Sequence, residues 1–481
     1  MSGTTAQYPA YKLVRSFIHF ALRGFYQQIR VVGLENVPLE GQAPVIFAGN
    51  HPNSLLDPAI VICSVNRMAH FAAKDVLFQS APLRVIMNAL GVVPISRRKD
   101  HGGEGSVKKI DNSQAFAALN KVLISGRSMG IFPEGISHDQ ASLSGLKTGA
   151  ARIGLQLVAE EPDVPLVIVP VGLTYIHRNR MRSRVLVQFG HPLQVHDWLD
   201  AFKEDPREAA RDLTDHLDRG LRALTINAPD WETVRVLDGV RRLYQPPRIP
   251  LENRVELARR FNEGFQTVKD KPEVIVLYSR IERYLDELDS LGLSDRDLDD
   301  DANFRSRRAR AARNLMLALV WLPLALPGFL VFLPLGQLVS WAGVNFAPRT
   351  DVIQTSKFVL GVATAAAAYM GLVALTTVFG SIPAGIAVAV ALPLSAVATL
   401  KVLERGVRLR RLLSGGVRSL MLGREVERLR AERRFLEAEV IKAVERLLPE
   451  DMERLYERTA EEIVDPDVGP DAELSRADDL L

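Results

Sequence analysis

Residues 50–58 hold a histidine and an aspartate six positions apart, directly after the apolar run at residues 45–48. The run predicts a short buried strand, and a strand-to-helix turn is a common place for reactive side chains. A carboxylate bonded to one imidazole nitrogen leaves the other free to take a proton. Positions six apart do not share a helix face, so His51 must sit on the turn before the helix and Asp57 on its second turn. Alone, such a pair is more often structural than catalytic.

Three further stretches end predicted strands in residues that could bind a ligand. One ends in Arg97, whose planar guanidinium suits a phosphate group. A Phe-Pro-Glu-Gly stretch places Glu134 at the tip of a turn, and Gly135 after it would let the backbone approach a ligand. A Val-Pro-Val-Gly stretch at residues 169–172 is expected to end its strand in an apolar turn. Each stretch taken singly has an ordinary structural interpretation.

The elements that carry these stretches alternate between short apolar runs and helical periods from residue 31 to about 195. This pattern predicts an α/β domain in which a mostly parallel sheet is flanked by helices. The predicted strands are residues 45–48, 70–73, 92–96, 128–132, 166–171 and 185–189, and the predicted helices are residues 82–90, 113–124 and 147–160.

Together and in this order, the four stretches resemble the blocks of the glycerolipid acyltransferase family, which are His/Asp, Gly-to-Arg, Phe-Pro-Glu-Gly and Val-Pro. The match covers roughly residues 40–195. Two features depart from the commonest pattern: one extra residue separates His from Asp, and Pro94-Ile95 replaces an aromatic and an acid. The longer spacing, with residues 134–139 and 146–150, is similar to the glycerol-3-phosphate/dihydroxyacetone-phosphate acyltransferase branch.

The resemblance implies transfer of a fatty acyl group from a thioester to an alcohol. Such an alcohol must lose a proton as it attacks, and a neutral imidazole held by a carboxylate suits this task near pH 7. His51 is therefore assigned as general base and Asp57 as its orienting carboxylate. Ser137 and His138 are expected to be local turn residues without a direct role.

The same resemblance gives the substrate-binding residues. Arg97 is the first choice for the acceptor phosphate, and Lys147 is the second. Glu134 and Gly135 would hold the glycerol hydroxyl or the turn beside it. No cofactor is expected beyond the acyl donor, acyl-CoA or acyl carrier protein, and no metal, because no Cys/His cluster has ligand spacing.

The leading function is therefore acylation of glycerol 3-phosphate or dihydroxyacetone phosphate in phospholipid biosynthesis. Acylation of a lysophospholipid such as 1-acylglycerol 3-phosphate would use the same residues and stays open. A catalytically inert membrane scaffold is a second alternative. A serine hydrolase is disfavoured, because no Gly-x-Ser-x-Gly sequence of the α/β region follows a predicted strand, as a nucleophile elbow would.

Two uncharged stretches, residues 314–348 and 358–400, predict membrane helices, since one span needs about 20 apolar residues. The second stretch accommodates two spans with a turn at residues 381–383. The first contains three prolines and is long for one span. Basic clusters flank both outer ends, so the positive-inside rule favours an even number of crossings: a kinked or re-entrant first block followed by a hairpin. The expected location is the cytoplasmic membrane, multi-pass, with the catalytic domain facing the cytoplasm.

The remaining sequence defines the partners and domain bounds. A net charge of +3 gives no reason to expect nucleic acid, and the single Cys63 fits a reducing compartment. An oligomer could form through the charged amphipathic helix near the C-terminus.

The predicted regions are an amphipathic helix that packs on the domain or lies on a membrane surface (1–30), the acyltransferase domain (31–200), a helical accessory region (201–304), the transmembrane region (305–401), the charged amphipathic helix (402–448) and an acidic, disordered tail (449–481).

Overall fold

The computed structural model describes residues 4–95, 113–246, 249–295, 298 and 304–447. These residues form two compact units. The first lies within Met1–Asn227 and Gly336–Ala365, and the second within Ala228–Leu335 and Ala366–Leu481. The segment Gly336–Ala365, which is distant in sequence, therefore belongs to the unit that contains the predicted catalytic residues.

The first unit is built on an eight-stranded sheet, counted over the described residues. The spatial order is β1-β7-β6-β2-β5-β3-β4, and β8 pairs with β6. Neighbours are parallel except in the β6–β7 and β6–β8 pairs. The strands are Gln28–Val32 (β1), Val45–Gly49 (β2), Ala69–Lys74 (β3), Val93–Ile95 (β4), Ser128–Ile131 (β5), Val167–Tyr175 (β6), Arg184–Phe189 (β7) and Leu193–Gln194 (β8).

The predicted α/β class with a mostly parallel sheet is confirmed, and all six predicted strands are present. Two strands were missed. β1 is a half-exposed edge strand with polar residues, and β8 has only two residues, so neither gives an apolar run. The expectation that residues 169–172 end a strand was wrong, because β6 continues to Tyr175 and keeps this stretch in the sheet interior.

Helices cover both faces of the sheet. Side chains alternate along β2, so Val45 and Phe47 enter one apolar cluster and Ile46 and Ala48 the other. This burial on both faces explains why β2 is a continuous apolar run. The helices of the first unit are Thr4–Phe25 (α1), Leu56–Ser64 (α2), Ala81–Ala89 (α3), Ser113–Ile124 (α4), Gly149–Glu160 (α5), Leu199–Glu204 (α6) and Pro206–Arg222 (α7).

The N-terminal helix α1 has two apolar faces with different surroundings. Tyr11 and Leu22 are buried in the core cluster that contains α2. Leu13, Phe17 and Phe20 point outward, with exposed fractions of 73%, 50% and 69%. One face thus packs on the domain, and the other offers bulky apolar side chains of the kind that interfacial helices insert between lipids.

The second unit is helical. Two of its helices, α11 and α12, also contribute residues to the first unit. The helices are Trp231–Tyr244 (α8), Leu251–Val268 (α9), Pro272–Leu291 (α10), Phe304–Asn345 (α11), Ile353–Phe379 (α12), Ile382–Met421 (α13) and Gly423–Leu447 (α14). Among the described helices, three are long and apolar enough to cross a membrane: α11, α12 and α13.

The prediction of one amphipathic helix over residues 402–448 was wrong, because a turn at Leu422 interrupts the helix and separates α13 from α14. The apolar face of α14 packs into the core of the second unit, where Leu429, Leu436 and Ile441 are fully buried. This face already has a partner within the same chain. The structure therefore removes the physical reason for proposing self-association through it.

Candidate active site

Three neighbouring parallel strands, β5, β2 and β6, bring the candidate residues to one edge of the sheet. Their carboxyl ends lead to Glu134, His51 and Tyr175, respectively. Ligands of parallel α/β sheets bind at this edge, where the loops after adjacent strands converge. The topology alone thus joins residues that lie far apart in sequence.

His51 and Asp57 form the predicted pair. The distance between His51 Nδ1 and Asp57 Oδ2 is 2.8 Å, and the side chain of Asp57 is completely buried. Oδ2 also accepts the backbone N–H of Asn53 at 2.7 Å. Since a carboxylate can only accept here, Nδ1 is the donor, and the imidazole lone pair lies on Nε2. Nε2 has no hydrogen-bond partner among the described residues, and the side chain is 16% exposed.

Asp57 was expected on the second turn of its helix, but α2 begins at Leu56 and Asp57 lies in the first turn. The chain reaches His51 without a helical segment because the intervening residues form a tight turn. In this turn Ser54 adopts φ +48°, a left-handed conformation that is costly for a residue with a Cβ. The N-terminal helical position also favours a carboxylate electrostatically.

The imidazole of His51 is held from one side by an aromatic stack. Its ring lies parallel to Phe132 with centroids 4.0 Å apart, and Phe132 stacks on Phe71 at 5.5 Å. Phe71 lies over Gly130, where an added Cβ would stand 2.1 Å from the ring. The absence of a side chain at Gly130 therefore sets the position of both rings behind His51.

Glu134 ties the turn after β5 to the turn after β2. Its Oε1 accepts the backbone N–H of His51 at 2.7 Å, and its Oε2 accepts the backbone N–H of Ser144 at 2.9 Å and a ring N–H of His138. Burial would raise the pKa of Glu134, but these bonds outweigh burial and lower it. Of the two predicted roles, these contacts favour holding the turn over binding the glycerol hydroxyl.

His138 contributes more to this turn than the sequence predicts. Its Nδ1 accepts the backbone N–H of Gln140 at 3.2 Å, so its Nε2 carries the proton that Glu134 accepts. Its own backbone N–H donates to the carbonyl of His51 at 3.2 Å. Spacing within the Glu-Gly-Ile-Ser-His stretch could have suggested the Glu134 bond, because the two residues are four positions apart.

Gly135 and Lys147 lie against each other. Gly135 has φ +77°, and a Cβ there would stand 2.3 Å from Lys147 Nζ. The backbone of Lys147 is fixed by its N–H bond to the carbonyl of Pro133 at 2.8 Å. The ammonium group is exposed and forms no ion pair with a described residue. The structure therefore brings Lys147 to the turn that carries Glu134, as a cation free to meet an anion.

Arg97 lies outside the described residues, so its predicted role stays a prediction. The strand before it, β4, ends at Ile95 and runs parallel to β3. Within the described residues, no group of three or more His, Cys, Asp or Glu side chains is placed to hold a metal ion.

Tyr175 and Arg178 complete the surroundings of the pair, and sequence reasoning missed both. Tyr175 Oη donates to Asp57 Oδ1 at 2.6 Å, and burial, with Asp57 beside it, raises the pKa of Tyr175. Arg178 donates to the carbonyls of Pro52 and His138 and pairs with Asp139. No local pattern links these residues to their partners, which follow from the pairing of β6 with β2.

Two family models match the chain. Residues 28–174 match the model described as Acyltransferase, and residues 236–452 match the model of the glycerol-3-phosphate acyltransferase 2 C-terminal domain. The first match contains His51, Asp57, Glu134 and Lys147 and ends one residue before Tyr175. The predicted resemblance to the glycerolipid acyltransferases is confirmed, and it extends to the glycerol-3-phosphate acyltransferase branch.

Curated relatives show the same resemblance. Glycerol-3-phosphate O-acyltransferase 2 of Saccharomyces cerevisiae is 37% identical over 235 residues, which cover 47% of this chain and 32% of the relative. Glycerol-3-phosphate O-acyltransferase 1 of the same yeast is 31% identical over 280 residues, which cover 54% and 37%, respectively. The chain thus spans about a third of the length of these relatives.

Two more distant comparisons involve lysophospholipid enzymes. The 1-acyl-sn-glycerol-3-phosphate acyltransferase of Borreliella burgdorferi is 27% identical over 169 residues, covering 35% of this chain and 60% of the relative. Among solved structures, the 1-acyl-sn-glycerophosphate acyltransferase PlsC of Thermotoga maritima aligns at 17% identity with a TM-score of 0.33, over 46% of this chain and 83% of that one.

Removal of the Tyr175 hydroxyl should shift the pH dependence of turnover. In Tyr175→Phe the Asp57 carboxylate loses one donor, so its charge acts more strongly on the imidazole and favours imidazolium. We expect the acidic limb of kcat/KM to move to higher pH by up to about one unit. The measurement is kcat/KM for acyl transfer from pH 5 to 9.

Tyr26→Phe is the matched control. Tyr26 is also buried, its ring centroid lies 6.0 Å from that of Tyr175, and its hydroxyl has no hydrogen-bond partner among the described residues. An equal shift in both variants would mean that loss of packing, and not of the bond to Asp57, causes the effect.

Proposed function

We propose that this chain transfers a fatty acyl group from acyl-CoA or acyl carrier protein to a hydroxyl of glycerol 3-phosphate or dihydroxyacetone phosphate. The observation that carries the proposal is the His51–Asp57 pair at the carboxyl edge of a domain that matches the Acyltransferase model, with Nε2 unpartnered among the described residues. The matches to the yeast enzymes support glycerol 3-phosphate as acceptor.

The proposed reaction uses His51 twice. Nε2 takes the proton of the acceptor hydroxyl as the oxygen attacks the thioester carbonyl, and Asp57 stabilises the imidazolium that forms. The tetrahedral intermediate then collapses, the carbon–sulfur bond breaks, and the proton on Nε2 passes to the sulfur, which leaves as a thiol. The stack on Phe132 and the bond to Asp57 hold the ring in one orientation throughout.

The acceptor phosphate requires cations near this edge. Lys147 is an exposed ammonium over Gly135, and Arg97 follows the strand that ends at Ile95. Glycine at position 135 leaves room for the lysine side chain to cross the turn, which a Cβ would obstruct. We propose that Lys147 and Arg97 bind the phosphate while His51 faces the hydroxyl.

His51→Ala should lower kcat by about 10²–10⁴-fold, because the attacking alcohol loses its base. The assay measures acyl transfer by the membrane-embedded protein with acyl-CoA and, separately, glycerol 3-phosphate, dihydroxyacetone phosphate and 1-acylglycerol 3-phosphate. His191→Ala, at an exposed loop histidine, is the control and should keep full activity. Undiminished turnover in His51→Ala would refute the base assignment.

The acceptor panel also tests the rival function. The similarity to the Borreliella enzyme favours a lysophospholipid as the alternative acceptor. Transfer to 1-acylglycerol 3-phosphate alone would overturn the choice of glycerol 3-phosphate and leave the mechanism intact. The absence of transfer to all three acceptors would favour the inert scaffold.

Lys147→Ala should raise the KM for glycerol 3-phosphate about 10–100-fold, the cost of losing a charged hydrogen bond, while kcat changes little. Lys147→Arg should retain most of the affinity, because a guanidinium also binds phosphate. Lys121→Ala, which removes an exposed lysine of α4, controls for net charge. An unchanged KM in Lys147→Ala would exclude this residue from phosphate binding.

We further propose that only α12 and α13 cross the membrane, as a hairpin. Thr355 and Lys357, near the start of α12, bond to loops of the first unit. The connection between α11 and α12 is therefore on the same side of the membrane as residues 1–227. In the described residues between 227 and this connection, α11 is the only candidate span. If α11 crossed the membrane fully, the connection and residues 1–227 would lie on opposite sides.

Contacts of α11 agree with a position in the half of the bilayer on the side of residues 1–227. The middle of α11 contacts the part of α13 that lies just before the basic cluster. Gly328 N–H donates to Ser395 Oγ at 2.7 Å, and the Lys401 ammonium lies over the ring of Trp321. Residues 359–379 of α12 extend about 30 Å, the thickness of the hydrocarbon core. The basic flanks then share one side, as the positive-inside rule requires.

Cysteine labelling tests this topology in intact cells. Ser381→Cys, between α12 and α13, should react with a membrane-impermeant maleimide from outside, whereas Arg310→Cys and Arg408→Cys should react only after permeabilisation. Burial raises the pKa of the native Cys63 to about 11, so its background reaction is slow. Labelling of Arg310→Cys from outside would show that α11 crosses the bilayer.

A further inference from the structure

Residues 349–357, here called the strap, comprise the end of the connection from α11 and the first five residues of α12, and they carry polar side chains that are buried. Asp351, Gln354, Thr355 and Lys357 are each at most 5% exposed, although strongly apolar stretches precede and follow them. Polar groups at such a position are costly in lipid and persist where protein covers them. Here the covering protein is the first unit, to which the strap belongs.

One end of the strap binds the turn that follows Glu134. Asp351 Oδ2 accepts the hydroxyl of Ser137 at 2.6 Å, and Arg349 donates to the same hydroxyl oxygen at 2.9 Å and to the Ser137 carbonyl at 3.3 Å. Arg349 and Asp351 are also paired with each other at 2.5 Å. Ser137 therefore sits in a closed three-residue network, of which two members come from the strap.

The other end binds the turn between His51 and Asp57. Thr355 Oγ1 donates to the carbonyl of Asn53 at 3.0 Å. Asn53 precedes Ser54, the residue with φ +48°, and its own N–H bonds to Asp57. A left-handed conformation at a non-glycine residue persists only where surrounding contacts enforce it. The bond from Thr355 is such a contact.

We propose that the strap positions the two catalytic turns, with Asp351 and Thr355 as positioning residues for acyl transfer. Asp351 acts through Ser137 on the turn that carries Glu134 and Gly135, beside Lys147. Thr355 acts through Asn53 on the turn that aligns His51 with Asp57. The proposal rests on the proposed function for its kinetic test, and a second test does not depend on turnover.

The kinetic test is a double-mutant cycle on Ser137 and Asp351. We expect Asp351→Ala to raise the KM for glycerol 3-phosphate about tenfold and Ser137→Ala about threefold, with no further loss in the double variant, because both changes break one network. Asp351→Asn should recover part of the loss, since an amide oxygen still accepts the Ser137 hydroxyl. The pH profile should stay unchanged, because His51, Asp57 and Tyr175 are untouched.

Thr355→Val should lower kcat about threefold to tenfold, since the carbonyl of Asn53 loses a buried donor. Thr364→Val is the matched control: among the described residues, its hydroxyl bonds only to carbonyls of its own helix, at 2.7 and 3.3 Å. Three results would each overturn the proposal. The first is a KM change in the double variant equal to the product of the two single changes, the second is an unchanged KM in Asp351→Ala, and the third is an equal effect of the two threonine variants.

Hydrogen exchange on the full detergent-solubilised chain supplies the independent readout. Asp351→Ala should speed exchange at residues 135–144 and leave the amides of β7 unchanged. Unaltered exchange at residues 135–144 would overturn the proposed role of the strap even if the wild-type chain transferred an acyl group. If the wild type transferred none, the proposed function would fail, and faster local exchange would still support the strap.

Discussion

The bond from His51 to Asp57 is the interaction on which the rest of the site depends. A histidine can take a proton from an alcohol only if its free nitrogen faces the substrate and the other nitrogen is occupied. Here the carboxylate that occupies it is completely buried and accepts from Asn53, Tyr175 and His51 together. A buried charge is tolerable only when it is so satisfied. The requirements of Asp57 thus explain the turn at Ser54, the polar end of β6 and the start of α2.

The parallel sheet converts this local requirement into a site. Because β5, β2 and β6 run in the same direction, the loop after each strand opens at the same edge. The Glu134 carboxylate then binds the turn of His51 through one oxygen and its own loop through the other. The low pKa of Glu134 follows from these bonds and keeps it ionised at neutral pH. The two turns therefore behave as one structural element.

The sequence was sufficient for the features that depend on local pattern. Apolar runs located six strands, and the four ordered blocks identified His51, Asp57 and the Glu134 turn. The sequence did not predict contacts in which the hydrogen-bond partner of a residue lies on a distant strand. Nothing near Tyr175 shows that its hydroxyl meets a carboxylate 118 positions away, and β6 extends beyond its apolar run because residues 171–175 pair with β7. The first turn of α2 was misplaced because Ser54 takes an uncommon conformation that residue type does not predict.

The strap extends this reasoning to the charged residues between the apolar helices. Arg349, Asp351 and Lys357 interrupt two uncharged stretches, and from sequence alone they are only a loop between spans. In the structure Asp351 and Lys357 are buried within the first unit, and the exposed Arg349 bonds to Ser137, so these residues have a different meaning. A reaction that joins a water-soluble phosphate acceptor to a fatty chain needs its base close to the bilayer surface, at a fixed depth. A polar connection that bonds to both catalytic turns and continues directly into an apolar helix meets that need. In the proposed topology it ties the position of Nε2 to the membrane through covalent structure and five side-chain bonds, without a flexible linker between them.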